Sequence, residues 1–163
     1  MSTASPPPVD EARQFRVLAL ALVTAPLVVL LAVAFAVTPA EEDLPVAVAA
    51  AAIAVVAAGW VLAQVRGYRV APLAPGEDRA TALARFRESM VLRFVLTEAP
   101  IILGLAAAFV LPYGIWTYAA VLVVGLPSML LHVWPSRRVV DRVATRLESG
   151  GVPSGLRETF GHR

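Results

Sequence analysis

Four long apolar stretches constrain this chain more than any other feature of its sequence. They run from Val17 to Val37, from Leu44 to Val65, from Met90 to Leu111 and from Ile115 to Trp134. The hydrocarbon core of a bilayer is about 30 Å thick, and a helix needs about 20 apolar residues to cross it. The sequence therefore predicts an all-α membrane protein with four transmembrane helices and no separate soluble domain.

The composition agrees with this class. Hydrophobic residues make up 58% of the 163 residues and charged residues only 16%, whereas soluble domains carry fewer apolar and more charged residues. The chain has no cysteine, which excludes a disulfide scaffold and a cysteine nucleophile. Its two histidines, His132 and His162, lie far apart. We therefore expect no metal site, no cofactor and no catalytic residues, and hence no enzyme.

The arginines are distributed unevenly along the chain. They precede the first stretch, crowd the segment from Arg66 to Arg87 and recur after Trp134, whereas the loop from Thr38 to Asp43 carries three acids and no arginine. Cytoplasmic loops of membrane proteins carry the excess of basic residues. The pattern predicts a multi-pass protein of the inner (plasma) membrane with both termini in the cytoplasm. It also explains the net charge of +2 without a nucleic-acid partner.

These assignments predict the organisation of the chain. The predicted segments are a cytoplasmic N-terminal segment (1–16), a first transmembrane hairpin (17–65), a cytoplasmic loop and helix extension (66–89), a second transmembrane hairpin (90–134) and a cytoplasmic basic tail (135–163). Pro72, Pro75 and Gly76 break structure, and Glu77-Asp78 suits a helix N-terminus. We expect the third helix to begin near Glu77, outside the membrane.

The first and third apolar stretches resemble each other. A shift of 74 residues aligns them with nine identities over 21 positions, including Pro26 with Pro100 and Phe35 with Phe109. The pattern predicts two tandem, duplicated hairpins, although apolar helices also match by chance. A proline inside a helix removes a hydrogen bond to the carbonyl four residues earlier, so kinks are predicted at Pro26 and Pro100.

Small residues in two helices suggest how the bundle packs. The second stretch carries alanines at spacings of three and four, namely Ala47, Ala50, Ala51, Ala54, Ala57 and Ala58, and the third carries Gly104 and Ala108. Small residues at this spacing allow helices to approach closely in lipid. Either these residues form the helix contacts, or alanine is simply abundant in this chain.

The tail predicts an amphipathic helix. Ser136 suits its N-cap, and Gly150-Gly151 suits its end. One predicted face carries Val139, Val140, Val143 and Leu147, and another carries Arg138, Arg142 and Arg146. Such a helix lies on the inner leaflet with its arginines against lipid headgroups, or it docks on protein. Leu156 and Phe160 are candidate anchors in a following short helical turn.

Glu98 is the one acidic residue inside an apolar stretch. An ionisable group at that depth usually faces the bundle interior, a partner or water. Thr97, Thr24 and the carbonyls freed by the prolines are its predicted hydrogen-bond partners. Glu98 either carries a proton or a cation, or its protonated form locks the bundle through a hydrogen bond.

The stretch Leu96-Thr97-Glu98-Ala99-Pro100-Ile101-Ile102-Leu103-Gly104-Leu105 resembles the ion-carrying helix of the c-type proteolipids of rotary ATP synthases. The resemblance implies that Glu98 corresponds to their ion-carrying carboxylate, although that carboxylate lies on the second helix of its hairpin and Glu98 on the first. The whole chain is more similar to uncharacterised four-helix integral membrane proteins of bacteria.

Two functions follow as hypotheses. The first is a non-enzymatic integral membrane protein that acts as an accessory or scaffold subunit, with membrane lipids and either copies of itself or another membrane subunit as partners. The second is a proteolipid-like subunit or small transporter that moves protons or ions by means of Glu98.

Overall fold

The computed structural model describes residues 8–36 and 42–162. Its four long helices are α1 (Pro8–Ala36), α2 (Val46–Val65), α3 (Arg79–Val110) and α4 (Ile115–Val133). Each is long and apolar enough to cross a membrane, which confirms the predicted all-α fold with four candidate spans. The first seven residues, and residues 37–41 of the predicted acidic loop, lie outside the described residues.

The start of α3 follows from its capping residue. Asp78 accepts hydrogen bonds from the backbone N–H and the hydroxyl of Thr81, each at 3.0 Å. These bonds lower the pKa of the Asp78 carboxyl and satisfy a donor that the first helical turn leaves free. The helix therefore begins well before its apolar stretch, as the Glu77-Asp78 pair predicts.

The four long helices do not contribute equally to the bundle. α3 and α4 pack along each other, and α2 packs against both. α1 lies at the side, with its main contacts on α4 and few on α3. Consequently α1 and α2, the two helices of the predicted first hairpin, are not each other's main packing partners.

The buried face of α2 differs from the predicted one. It consists of Ala52, Val56, Gly59 and Ala63. The six alanines singled out in the sequence are all exposed, so the expectation that they form the helix contacts within this chain is wrong. In α3, Gly104 and Ala108 are buried as expected.

Gly59 marks a close approach of α2 to α3, at the proline of α3. A Cβ atom on Gly59 would lie 2.7 Å from Cγ of Pro100 and 2.8 Å from the carbonyl oxygen of Leu96. That carbonyl is the one that Pro100 leaves without its helical N–H donor. Only glycine fits here, because any side chain would overlap both the proline ring and the freed carbonyl.

The polar segments fold onto one end of the bundle. They comprise residues 66–78, the helix α5 (Arg137–Leu147) and the short helix α6 (Leu156–Thr159), and we call them the basic cap. Val139, Val140, Val143 and Leu147 of α5 are fully buried. The N–H of Leu73 donates to the carbonyl of Leu147 at 2.8 Å. The apolar face of α5 is therefore covered by this chain itself, which corresponds to the docking alternative.

Aromatic packing and an ionic network fix the end of the cap. Phe160 packs on Phe86 of α3 and on Phe15 of α1, with ring centroids 5.1 and 5.7 Å apart. Arg157 bonds to Glu148 and Asp141. Burial alone would raise the pKa of the Glu148 carboxyl, but hydrogen bonds from Ser154 and Arg157 lower it. Leu156 and Phe160 are thus anchors, as predicted.

Candidate functional site

Glu98 lies half-buried in a small cavity at the side of α3. The cavity has a volume of about 60 Å³ and is shared with Pro26 of α1 and Tyr118 of α4. The carboxyl forms no hydrogen bond or ion pair within the described part of the chain. The structure therefore brings Glu98 to the proline of α1 but leaves its oxygens unpaired among the described residues.

The two threonines predicted as its partners bond elsewhere. The hydroxyl of Thr97 donates to the carbonyl of Arg93 at 2.8 Å, one turn earlier in the same helix. Thr24 is exposed, and its hydroxyl donates to the carbonyl of Leu20 at 2.9 Å. Because both hydroxyls are used within their own helices, Glu98 does not form a polar cluster with them.

Tyr118 is the polar neighbour of Glu98 that the sequence analysis missed. Its buried hydroxyl donates to the carbonyl of Pro26 at 2.9 Å and so ties α4 to α1. Nothing in the sequence marks this tyrosine as an intramembrane partner, because a tyrosine near a helix start is usual at a membrane interface.

A second cluster surrounds Arg93, whose side chain is fully buried. Its Nε donates to the carbonyl of His132 at 2.7 Å, and its Nη1 donates to the hydroxyl of Ser89 at 2.5 Å. Nη1 also reaches the carbonyl of Gly67 at 3.4 Å, whereas Nη2 has no partner among the described residues. The guanidinium is thus a buried cation held by carbonyl and hydroxyl oxygens, and no carboxylate of the described residues pairs with it.

The local sequence explains how Arg93 is held. Ser89 precedes it by four residues, which places both side chains on one face of α3. Gly67 follows the end of α2, and a Cβ there would overlap the Cγ of Arg93 and lie 2.6 Å from the carbonyl of Ala63. The glycine therefore lets the backbone of the cap approach the arginine closely.

Tyr68 connects the buried arginine with the surface of the cap. The guanidinium carbon of Arg93 lies 4.6 Å from the centre of its ring, and that of Arg142 lies 4.1 Å from it. Burial raises the pKa of the phenol, while Arg93 and Arg142 act in the opposite direction. The ring is therefore a neutral phenol at physiological pH, and it offers its electron-rich face to two cations.

A larger cavity of about 370 Å³ opens beside this cluster, where the ends of α2 and α4 meet α5. We call it the basic-end cavity. Its aromatic lining consists of Trp60, Tyr68, His132 and Trp134. Its other lining residues are Gln64, Leu130, Leu131, Ser136, Arg138 and Arg142. The cavity combines guanidinium donors with ring surfaces and leucines, and no acid lines it.

His132 is the buried polar group of this cavity. Its side chain is 2% exposed, its Nδ1 lies 2.8 Å from the carbonyl of Ser128, and its Nε2 has no partner among the described residues. A carbonyl accepts, so Nδ1 carries the hydrogen. Nε2 is therefore free to accept a hydrogen bond when the ring is neutral, or to donate one when the ring is protonated.

The three arginines predicted to contact lipid divide into two groups. Arg138 and Arg142 line the basic-end cavity, whereas Arg146, one turn further along α5, does not. All three are exposed. Arg142 also donates to Gln64 of α2. The helical spacing predicted one shared face, but only the folded chain shows which two of them meet the aromatic residues.

Arg93 was not predicted as a site residue, although its position in the sequence carries a signal. A charged residue inside an apolar stretch is costly and usually has a function or a buried partner. Arg93 lies near the start of its apolar stretch, where a long basic side chain can reach the membrane interface. Its partners come from residues 67, 89 and 132, and their proximity depends on the fold.

Comparison with family models, with curated proteins and with solved structures found no match to this chain. The function is therefore inferred from the sequence and the structure of this chain alone. The resemblance of the Glu98 helix to c-type proteolipids stays a prediction from the sequence.

Proposed function

We propose that this chain is a non-enzymatic integral membrane protein that serves as an accessory or scaffold subunit and contacts a partner helix in the bilayer. One observation carries the proposal. The hydroxyl of Thr117 is buried and has no hydrogen-bond partner among the described residues. It lies in a side groove of about 220 Å³ formed by α2, α3 and α4.

The lining of this groove supports the proposal. Ala51, Ala52, Gly104 and Ala107 leave room for another backbone to approach, and interfaces between transmembrane helices are rich in such small residues. A threonine hydroxyl in such an interface bonds across to the partner. Ala51, exposed within this chain, would then pack against the partner. A second copy of the chain or a different membrane subunit would satisfy the same chemistry.

The test is the native mass of the complex extracted in lipid from its own membrane. Ala51→Leu fills the groove and should dissociate the complex, while the matched control Ala54→Leu, on the exposed face of the same helix, should leave it intact. Thr117→Val should weaken it. If Ala51→Leu retains the full mass, the groove is not the contact and the proposal fails.

We also propose which membrane holds the chain and which end of the bundle faces the cytoplasm. Arginines concentrate at the end of the bundle that carries the basic cap, and the described residues at the opposite end, 42–45 and 111–114, include none. The positive-inside rule then favours an inner (plasma) membrane with the basic cap and both termini in the cytoplasm. A reporter fused after residue 163 would be active only on the cytoplasmic side.

Duplication of a helical hairpin is likewise proposed. Its support is the alignment of the first and third apolar stretches and the burial of the two aligned prolines, Pro26 and Pro100. The two copies have since taken different places, because α3 is central and α1 lateral.

The alternative function is transfer of protons or ions by Glu98. It is favoured by the unpaired carboxyl in its own small cavity beside Tyr118. Proton flux into vesicles reconstituted with the chain would test it. Glu98→Gln should abolish that flux, and the matched control Glu88→Gln, at an exposed position earlier in α3, should not. Absence of flux in the unmodified chain would remove this alternative.

A further inference from the structure

We infer that the basic-end cavity binds one phospholipid with an anionic, phosphate-bearing headgroup. The site is independent of the Thr117 groove and of Glu98. Three observations carry the inference: the charge of the lining, its division into a polar and an apolar part, and the unpaired nitrogen of His132.

The charge selects an anion. Arg138 and Arg142 line the cavity, and neither forms an ion pair with an acid within residues 8–36 and 42–162. Arg93 adds a third cation on the inner side of Tyr68, again without a carboxylate. Guanidinium groups bind phosphate through paired N–H donors. A zwitterionic or neutral ligand would leave this positive charge uncompensated.

The apolar part selects a lipid over a soluble anion. Leu130 and Leu131 are 46% and 65% exposed and continue the outer face of α4 that faces the bilayer. An acyl chain can lie along them while the headgroup reaches Arg138 and Arg142. Trp60 and Trp134 flank the cavity, and tryptophan prefers the depth at which headgroups meet acyl chains.

His132 adds a polar contact inside the cavity. Since Nδ1 is occupied by the carbonyl of Ser128, only Nε2 can meet the ligand. As a neutral ring it accepts a hydrogen bond from a headgroup hydroxyl, and as a cation it donates to a phosphate oxygen. Because Arg138 and Arg142 line the same cavity as His132, the lining favours a phosphodiester that carries a free hydroxyl, such as a glycerol headgroup.

The native tryptophans provide the measurement. Trp60 and Trp134 line the cavity, and the third tryptophan, Trp116, starts α4 at the opposite end. In the full chain carrying Trp116→Phe, both remaining indoles report on the site. Quenching by brominated-chain phosphatidylglycerol is compared with quenching by brominated-chain phosphatidylcholine, each titrated into chain held in a fixed excess of detergent.

We expect phosphatidylglycerol to bind at least about fivefold more tightly than phosphatidylcholine. Arg138→Gln should reduce that preference about fivefold, because one basic residue near an anionic lipid surface contributes about 1 kcal/mol. Arg146→Gln removes the same charge from the same helix outside the cavity and should leave the preference unchanged. His132→Phe should lower affinity for phosphatidylglycerol more than for phosphatidic acid, which lacks the glycerol hydroxyls.

Two further measurements test the site: the folding of the arginine variants and competition by a soluble phosphate. Arg138 makes no side-chain hydrogen bond to the described residues, so its variant should fold even if a variant of Arg142, which holds Gln64, does not. Soluble glycerol phosphate should fail to compete at concentrations that match the lipid. Equal quenching by both lipids, equal effects of Arg138→Gln and Arg146→Gln, or full competition by glycerol phosphate would each overturn the inference.

Discussion

The surroundings of Arg93 and of Glu98, two charged side chains of one helix, differ sharply. Arg93 is fully buried and held by groups from residues 67, 89 and 132. Glu98, little more than one turn later, is half-buried and unpaired. The contrast shows that a charge inside an apolar helix does not by itself mean that other parts of the chain bind it. What identifies a bound charge is the number of chain segments that converge on it.

We expect the largest effect on stability when the Arg93 side chain is removed. Arg93→Ala leaves a void and removes the donor from the carbonyl of His132, so we expect the free energy of unfolding to fall by about 3 kcal/mol. Glu98→Ala, which removes no hydrogen bond, should cost less than about 1 kcal/mol. Denaturant titration of the purified variants in detergent would measure both.

A volume-matched variant separates packing from hydrogen bonding at this site. Arg93→Met retains most of the side-chain volume and removes the buried charge, so it should recover more than half of the loss. Equal stability of Arg93→Ala and Glu98→Ala would contradict the distinction between the two sites.

The next largest effect is expected at the contact between α2 and α3, where Gly59 meets Pro100. Gly59→Ala places a methyl group against Pro100 and the carbonyl of Leu96, and we expect it to cost about 2 kcal/mol through forced separation of α2 and α3. Ala58→Val, at the adjacent exposed position, is the control and should be nearly neutral. Thermal unfolding in the same detergent would rank them. A neutral Gly59→Ala would mean that the two helices are not in close contact.

A smaller effect is expected at the end of the basic cap, and it depends on pH. The pKa of Glu148 is lower in the folded chain than in the unfolded one, as its bonds with Ser154 and Arg157 outweigh the effect of burial. Its contribution is therefore fully present above the ordinary glutamate value of 4.5. It is lost as pH falls through the lowered folded value.

The variant Arg157→Gln should weaken this dependence and leave the part that the bonds from Ser154 supply, at a cost of at most about 1 kcal/mol near neutral pH. Unfolding measured from pH 7 down to pH 3 would test it. A variant whose stability follows the same pH curve as the unmodified chain would show that Arg157 does not hold Glu148.

We expect the smallest effect near Glu98, at the hydrogen bond of its neighbour Tyr118. Tyr118→Phe removes the hydrogen bond to the carbonyl of Pro26, and bonds of this kind between transmembrane helices contribute about 0.6 kcal/mol. We expect a loss of that size and faster hydrogen exchange in α1, while α3 is unaffected. The control Tyr113→Phe, in the turn before α4, should change neither. Unchanged exchange in α1 would show that Tyr118 does not tie the two helices.

The sequence predicted those parts of the molecule that depend on one helix at a time. The four spans, the start of α3 at Asp78 and the anchors Leu156 and Phe160 each follow from local composition or spacing. The buried face of α2 did not, because alanines lie all around that helix. The need for a glycine at Gly59 comes from Pro100 of another helix, and no local sequence pattern reveals it.

The same limit explains the candidate sites. Glu98 could be singled out from the sequence because a lone carboxylate in an apolar stretch is conspicuous. Its partners were predicted wrongly as Thr24 and Thr97, since each hydroxyl finds a carbonyl one turn back in its own helix. The Arg93 cluster and the basic-end cavity combine residues from α2, α3, α4, α5 and the loop after α2, and their meeting is a property of the tertiary fold.

Hydrogen exchange of the full chain in lipid nanodiscs tests most directly that the polar segments form a folded cap. Residues 66–78 and 137–160 lie outside the apolar spans, so protection there reports folding and not shielding by lipid. We predict exchange at least about a hundredfold slower than in an unstructured peptide for the amide of Leu73 and for the amides of α5. Exchange of these amides at the unstructured rate would contradict a folded cap, and with it the basic-end cavity.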